Sequence, residues 1–112
     1  LPLLVGQSKA RELLFTAPLI TGAEALDLGL VNRIATSDDY EGAVHACASE
    51  LSQSATVAIG YMKKNLNSAA TSTLGESLDR EAAHMARCFT TQDHKLAVQA
   101  FVAKETPVFS GE

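Results

Sequence analysis

The sequence predicts a mainly helical fold with one short strand near residues 30–34. Two observations support this prediction. Apolar residues recur at intervals of three and four residues through most of the chain, as they do along one face of an α-helix. Residues that can cap a helix, mainly Ser, Thr and Asp, precede these apolar stripes, and Gly or Pro follows several of them. The composition, 46% hydrophobic and 20% charged, is ordinary for a globular protein.

The first predicted helix begins near Ser8, which can cap it, and ends at Ala17. Pro18 ends this helix because its ring cannot continue the helical hydrogen-bond pattern. The preceding residues, 1–6, are apolar, and we predict that they are extended.

A short second helix is predicted to follow Thr21. The Thr21 hydroxyl can accept a hydrogen bond from the N–H of Glu24, while the Glu24 side chain accepts one from the N–H of Thr21, an arrangement called a capping box. Gly29 suits the left-handed position at which such a helix ends. Residues 30–34 then have the pattern of a short buried strand.

Four more helices are predicted in the rest of the chain. A polar cluster at residues 36–39 caps the first of them, and Ser54 or a neighbour caps the second. In the third of these four, which is the fifth helix of the chain, Glu76 and Arg80 are four residues apart and are predicted to pair on the outer face. The four ranges are about 40–52, 54–67, 73–89 and 93–103.

Charge and hydropathy exclude several classes of protein. The net charge is −4 and Lys and Arg are not clustered, which argues against a nucleic-acid-binding surface. No run of eighteen apolar residues predicts a membrane helix, and no signal-peptide pattern is present, so we expect a cytoplasmic protein. The first residue is Leu rather than Met, which favours processing or truncation.

The residues that most often carry catalysis or bind metals are poorly placed for either role. Three acidic residues of the fifth helix are predicted to lie on its solvated face rather than to form a catalytic pair: Glu76, Asp79 and Glu81. The histidines are too far apart in sequence to propose a metal site: His45, His84 and His94. No G-x-S-x-G nucleophile motif or phosphate-binding glycine loop is present. We therefore predict no catalytic and no metal-binding residue.

The order of several motifs resembles the enoyl-CoA hydratase/isomerase (crotonase) family. Residues 13–31, LLFTAPLITGAEALDLGLV, are similar to the family's leucine-rich helix and T-G-x-x-I-x-A-x-E-A-x-x-x-G-L-V. Ala17 departs from this pattern, since the family commonly has Gly there. Residues 54–67 are similar to S-P-x-A-x-x-x-x-K-x-x-L-N, and residues 78–109 follow L-x-x-E, T-x-D and A-F-x-x-K-x-x-P-x-F.

The resemblance implies that the chain is the C-terminal helical part of a crotonase-like α/β fold. Residues 1–36 would end the core region, and residues 37–112 would form a helical segment that covers the acyl-CoA pocket and joins subunits. In the family, two backbone N–H groups polarise the thioester carbonyl and carboxylates move protons. These groups lie upstream of the matching region, so this segment alone is expected to be inactive.

The resemblance also implies two residues that contact coenzyme A. By position in A-F-x-x-K, Lys104 would pair with a nucleotide phosphate and Phe101 would lie near the adenine. The alternatives are that Phe101 is a core residue and that Lys104 interacts with the helix dipole. Coenzyme A would be part of the substrate, no cofactor would be tightly bound, and the enzyme would be a homo-oligomer, a trimer or dimer of trimers. The alternative function is a non-catalytic helical module that self-associates.

Overall fold

Helices make up the regular structure of the chain. The computed structural model describes residues 1–112 and contains six α-helices and no strand. The mainly helical prediction is therefore confirmed. None of the helices is long and apolar enough to cross a membrane. Their bounds are α1 Pro2–Thr16, α2 Gly22–Asp27, α3 Tyr40–Ser52, α4 Thr56–Ala69, α5 Leu74–Cys88 and α6 Gln92–Ala103.

The chain forms two compact units, residues 1–43 and 44–112. In the first unit, α1 begins with a single turn that is interrupted at Gly6, where φ is 77°. The extended conformation predicted for residues 1–6 is therefore wrong. Pro2 explains the difference, because its fixed φ suits the first turn of a helix and its missing N–H is not needed there.

The helix ends of the first unit follow the sequence signals. Thr21 and Glu24 form the predicted capping box, with the Thr21 N–H donating to the Glu24 carboxylate at 2.7 Å. Gly29 has a φ of 71°, as predicted for the residue that ends α2. Ala17 occupies the same left-handed region, with a φ of 44°, and its N–H donates to the Leu13 carbonyl at 3.1 Å. The chain thus places an alanine where a glycine would be unstrained.

The strand predicted near residues 30–34 is not present. The N–H groups of Leu30 and Val31 both donate to the Ala25 carbonyl, at 2.8 and 3.4 Å, and so complete the end of α2. A strand needs a neighbouring strand to exchange hydrogen bonds with, and this chain has none. Residues 30–34 do have an apolar pattern, but this pattern does not show whether a second strand lies beside them.

Side-chain hydroxyls shape both ends of α3. Thr36 and Asp39 exchange hydrogen bonds in the turn immediately ahead of the helix, within the predicted capping cluster. The following helix was predicted to be capped by Ser54 or a neighbour, and its N-cap is the neighbour Ala55, whose methyl group cannot accept a hydrogen bond. The Ser54 hydroxyl instead donates to the Glu50 carbonyl at 2.8 Å and so closes the end of α3.

In the second unit, α4 and α5 pack against each other as a helical hairpin. The Arg80 guanidinium donates to the hydroxyls of Ser68 and Ser72 in and after the last turn of α4. Glu76 and Arg80 therefore form no direct ion pair, and the charge of Arg80 contributes only after the Thr73 hydrogen bonds to the lowered pKa of Glu76. Glu76 instead forms a second capping box with Thr73, whose N–H donates to the Glu76 carboxylate at 2.8 Å. The T-x-x-E spacing that revealed the first box is also present here.

Most apolar side chains lie on the surface of the chain. The accessible surface is 8875 Å², whereas a self-contained protein of this mass exposes about 5,900 Å². The only fully buried apolar residues are Ala10 and Ala100. The apolar stripe predicted along α5 exists, but its large members are each more than half exposed: Leu74, Leu78, Met85 and Phe89. The chain therefore presents apolar faces that it does not cover itself.

Replacing Ala17 by Gly should stabilise the protein. The left-handed conformation brings an alanine Cβ close to its own backbone, and glycine removes this strain, so we expect the free energy of unfolding to rise by about 1 kcal/mol. The measurement is chemical denaturation of the two proteins. Ala48→Gly, in the middle of α3, is the control and should lower stability by about 1 kcal/mol. A loss of stability in Ala17→Gly would contradict the prediction.

Replacing Glu76 by Gln should weaken the dependence of stability on pH. The pKa of Glu76 is held below its usual 4.5 by the N–H and then the hydroxyl of Thr73. The folded state therefore favours the charged carboxylate, and this contribution is complete above about pH 4.5 and is lost as the pH falls through the lowered pKa.

We expect the melting temperature of the unmodified protein to fall more steeply than that of Glu76→Gln between about pH 5 and pH 3. Circular dichroism at a series of pH values measures this difference. Glu81→Gln is the control, because Glu81 is exposed and takes no part in a cap. If the melting temperatures of Glu76→Gln and of the unmodified protein fell equally with pH, the capping box would not be the source of the pH dependence.

Candidate functional site

The two residues predicted to contact coenzyme A lie at the C-terminal end of α6. Phe101 is 85% exposed. It is therefore not part of this chain's own core, which was the alternative interpretation. Lys104 follows the last helical residue and has a φ of 58° and a ψ of 37°. An exposed ring and an ammonium group are thus three positions apart at one helix end.

A defined hydrogen-bond pattern holds Lys104 in its left-handed conformation. The Glu105 N–H donates to the Ala100 carbonyl at 2.9 Å, and the Lys104 N–H donates to the Phe101 carbonyl at 3.3 Å. This pair of bonds is a Schellman motif, in which glycine is the usual residue at the left-handed position. A residue with a side chain costs about 1 kcal/mol there. The direction in which the chain leaves α6 is therefore fixed at Lys104.

A groove runs between α4 and α5 in the second unit. One part has a volume of 410 Å³ and an adjoining part has 190 Å³. Met62, Asn65 and Glu81 line both parts, so the lining of the groove mixes apolar and polar side chains. The arrangement offers apolar contact surface, and Glu81 is the acidic residue that borders it.

Polar and aromatic contacts cross this groove. The Nδ1–H of His84 donates to the Asn65 side-chain oxygen. The His84 ring also stacks on Tyr61, with ring centroids 4.5 Å apart, and the Lys64 ammonium lies 5.1 Å from the centre of the Tyr61 ring. These contacts tie α4 to α5. His84 is therefore a structural link in the hairpin.

The remaining sequence candidates do not meet in one place. Glu76 belongs to a cap, and Asp79 is exposed on α5. His45 is exposed on α3, while the His94 ring stacks on Phe89 with centroids 4.8 Å apart. No group of three or more His, Cys, Asp or Glu side chains is arranged to hold a metal ion.

The structure reveals one polar residue whose role the sequence did not predict. Asp93 lies in the first turn of α6, where an acidic residue commonly does no more than interact with the helix dipole. Its side chain is 1% exposed and accepts hydrogen bonds from the backbone of Ser110 and Gly111. These partners are seventeen and eighteen residues away, and no helical or strand periodicity joins positions so far apart. The T-x-D motif includes Asp93, but it does not indicate which residues Asp93 contacts.

Comparison with known proteins gives a consistent result over the whole chain. The family model described as enoyl-CoA hydratase/isomerase matches residues 1–112. A short-chain-enoyl-CoA hydratase from Clostridioides difficile is 34% identical over 98 residues, which is 88% of this chain and 63% of that protein. A crotonyl-CoA hydratase from Syntrophomonas wolfei is 31% identical over 109 residues, which is 97% of this chain and 42% of that protein.

A solved structure extends the likeness to the fold. The enoyl-CoA hydratase/isomerase from Cupriavidus metallidurans CH34 superimposes with a TM-score of 0.91 and 33% identity. The match covers 99% of this chain but 42% of that one. The chain therefore spans less than two thirds of the length of each of these relatives.

Replacing Phe101 by Ala should change stability by less than about 0.5 kcal/mol, because an exposed side chain loses little packing. Phe109, which is half-buried and lines a small cavity beside Ala97, is the matched control, and Phe109→Ala should cost about 2 kcal/mol or more. Chemical denaturation of both variants makes the comparison. A loss in Phe101→Ala as large as that in Phe109→Ala would mean that Phe101 is buried in the folded protein.

Proposed function

Because the chain belongs to the enoyl-CoA hydratase/isomerase family, we propose that the whole protein carrying it acts on acyl-CoA thioesters. It would be a cytoplasmic enoyl-CoA hydratase or isomerase of fatty-acid type metabolism. The observation that carries the proposal is the match of the family model to residues 1–112. The similar proteins from Clostridioides difficile and Syntrophomonas wolfei are named a short-chain-enoyl-CoA hydratase and a crotonyl-CoA hydratase.

In this proposal the chemistry is carried out by residues outside this chain. An enzyme of this type holds the thioester carbonyl with two backbone N–H donors, and these stabilise the negative charge that develops on the oxygen. Carboxylates then add or move protons. The acidic residues of this chain have other surroundings, since Glu76 caps α5 and Asp93 is bound to backbone N–H groups. We therefore expect no hydration of crotonyl-CoA by the 112-residue chain alone.

The segment itself would cover the acyl-CoA pocket and build the oligomer interface. The exposed surface supports this role, because it exceeds by roughly 3,000 Å² that of a self-contained protein of this mass. A standard protein interface buries about 800 Å² on each partner. The surplus is enough for contacts with both the rest of the protein and other subunits. The apolar stripe of α5 is our candidate for the contact between subunits in a homotrimer or a dimer of trimers.

Within this role, Lys104 and Phe101 would contact the nucleotide part of coenzyme A. An ammonium group is a suitable partner for a phosphate, and a phenyl ring offers a flat apolar surface to an adenine. Both side chains belong to exposed residues at the same end of α6. The fixed backbone at Lys104 supports the assignment, because it sets the direction in which the side chain leaves the end of α6.

A second function is a helical module that self-associates without binding a nucleotide. The exposed apolar stripe of α5 favours it, because such surfaces in soluble proteins mark interaction sites. The two functions differ in their dependence on coenzyme A. Self-association would survive charge reversal at Lys104, whereas nucleotide binding would not.

Replacing Lys104 by Glu in the whole protein should weaken binding of coenzyme A by tenfold or more. Reversing the charge replaces an attraction to phosphate with a repulsion, and about 1.4 kcal/mol corresponds to a tenfold change. Isothermal titration calorimetry with coenzyme A measures the affinity. Lys95→Glu is the matched control, because Lys95 is an exposed lysine of the same helix, and it should bind coenzyme A as the unmodified protein does.

Two outcomes would argue against the proposal. If the unmodified whole protein neither binds coenzyme A nor turns over crotonyl-CoA, the acyl-CoA function fails and the self-association module becomes the better explanation. If the unmodified protein binds coenzyme A and Lys104→Glu binds it equally well, only the assignment of Lys104 fails.

A further inference from the structure

Asp93 is the only fully buried charged residue of the chain. Its carboxylate accepts hydrogen bonds from the Ser110 N–H at 2.7 Å, the Ser110 hydroxyl at 3.1 Å and the Gly111 N–H at 3.0 Å. The Asp93 N–H donates in turn to the Glu112 carbonyl at 3.0 Å. A buried carboxylate needs such donors, because unpaired charge in the interior is very unfavourable. We name this set of contacts the tail clasp, formed by Asp93 with residues 110–112.

The tail clasp joins the two ends of α6. The chain leaves the helix at Lys104, reverses direction and returns through residues 105–112 to Asp93, in the first turn of the same helix. A left-handed residue with a side chain persists only where the surrounding structure fixes it. Two sets of bonds fix this return path, the Schellman motif at Lys104 and the tail clasp at Asp93. Lys104 and Asp93, eleven positions apart in the sequence, thus lie at the two fixed ends of the returning segment.

Residues 109 and 111 of the returning segment lie beside α4. Phe109 lines a small cavity of 140 Å³ together with Ala58 and Ala97. A Cβ added to Gly111 would come within 3.0 Å of the Thr56 hydroxyl, and the φ of Gly111 is 81°. Gly111 thus lies close to the first turn of α4, and its left-handed conformation favours glycine.

We propose that Asp93 is a positioning residue for coenzyme A recognition, which acts through the tail clasp on Lys104. The inference rests on the proposed function, in which the Lys104 ammonium contacts a nucleotide phosphate. Asp93 itself does not touch the substrate, since its carboxylate is occupied by donors from residues 110 and 111. Loss of the clasp frees the returning segment, lets Lys104 leave the left-handed conformation and moves its ammonium away from the phosphate.

The test is Asp93→Asn in the whole protein, assayed with two thioesters of the same acyl group. Asparagine keeps the size of the side chain but presents an NH₂ group to one of the N–H donors, so the clasp is weakened. We expect the KM for crotonyl-CoA and the Kd of coenzyme A to rise about fivefold with kcat little changed, because uniform binding is lost. The crotonyl thioester of N-acetylcysteamine has no nucleotide, and its turnover should be unaffected.

Two further variants keep the test independent of one substitution. Gly111→Ala disturbs the clasp from the tail side, without altering α6, and should give the same nucleotide-specific loss. Asp79→Asn removes an equal charge from an exposed position on α5 and should leave both substrates unaffected. In a Lys104→Ala background, Asp93→Asn should cause no additional loss of coenzyme A affinity, because Asp93 acts only through Lys104.

The outcomes separate this inference from the proposed function. If the unmodified protein does not bind coenzyme A, both fail. If Lys104→Ala weakens binding and both Asp93→Asn and Gly111→Ala do not, the inference alone is overturned. Equal losses with the two thioesters, or additive losses in the double variant, would mean that Asp93 serves only general stability, which also overturns it.

Discussion

Hydrogen bonds at helix ends are the constraint on which this structure most depends. The chain has almost no core of its own, since only two alanines among its apolar residues are fully buried. Helices of six to fifteen residues gain little stability from their own backbone bonds. Two Thr and Glu capping boxes therefore fix where α2 and α5 start, and a Schellman motif together with the buried carboxylate of Asp93 fixes how the chain turns after α6.

Local chemistry explains which parts of the fold were predictable. The box at Thr21 and the left-handed Gly29 involve residues a few positions apart, and the sequence alone predicted both. The strand near residues 30–34 was wrong because pairing needs a partner that the local pattern cannot reveal. Glu76 had two possible partners within four residues, and the backbone N–H of Thr73 prevailed over Arg80. Periodicity identified the stripe of α5 but not its exposure, because spacing shows which residues share a face and not what covers them.

The residues of the candidate site also differ in whether the sequence could predict them. Phe101 and Lys104 came from resemblance to a family, since an exposed ring and an ammonium have no local signature of nucleotide binding. Asp93 could not be assigned from the sequence, because its partners lie beyond the reach of any helical spacing. The structure connects the two observations, as the residue with the strained backbone and the residue with the buried charge lie at opposite ends of α6.

The contacts between α4 and α5 also bear on how the chain folds. Arg80 bonds to Ser68 and Ser72, and His84 bonds to Asn65, across separations of 8 to 19 residues. Closing such short loops has a small entropic cost, and structures built from local contacts fold quickly. The hairpin can therefore form early, as a nucleus that does not wait for distant segments, and its polar links can set the register of the two helices while the apolar face of α5 is still without a partner.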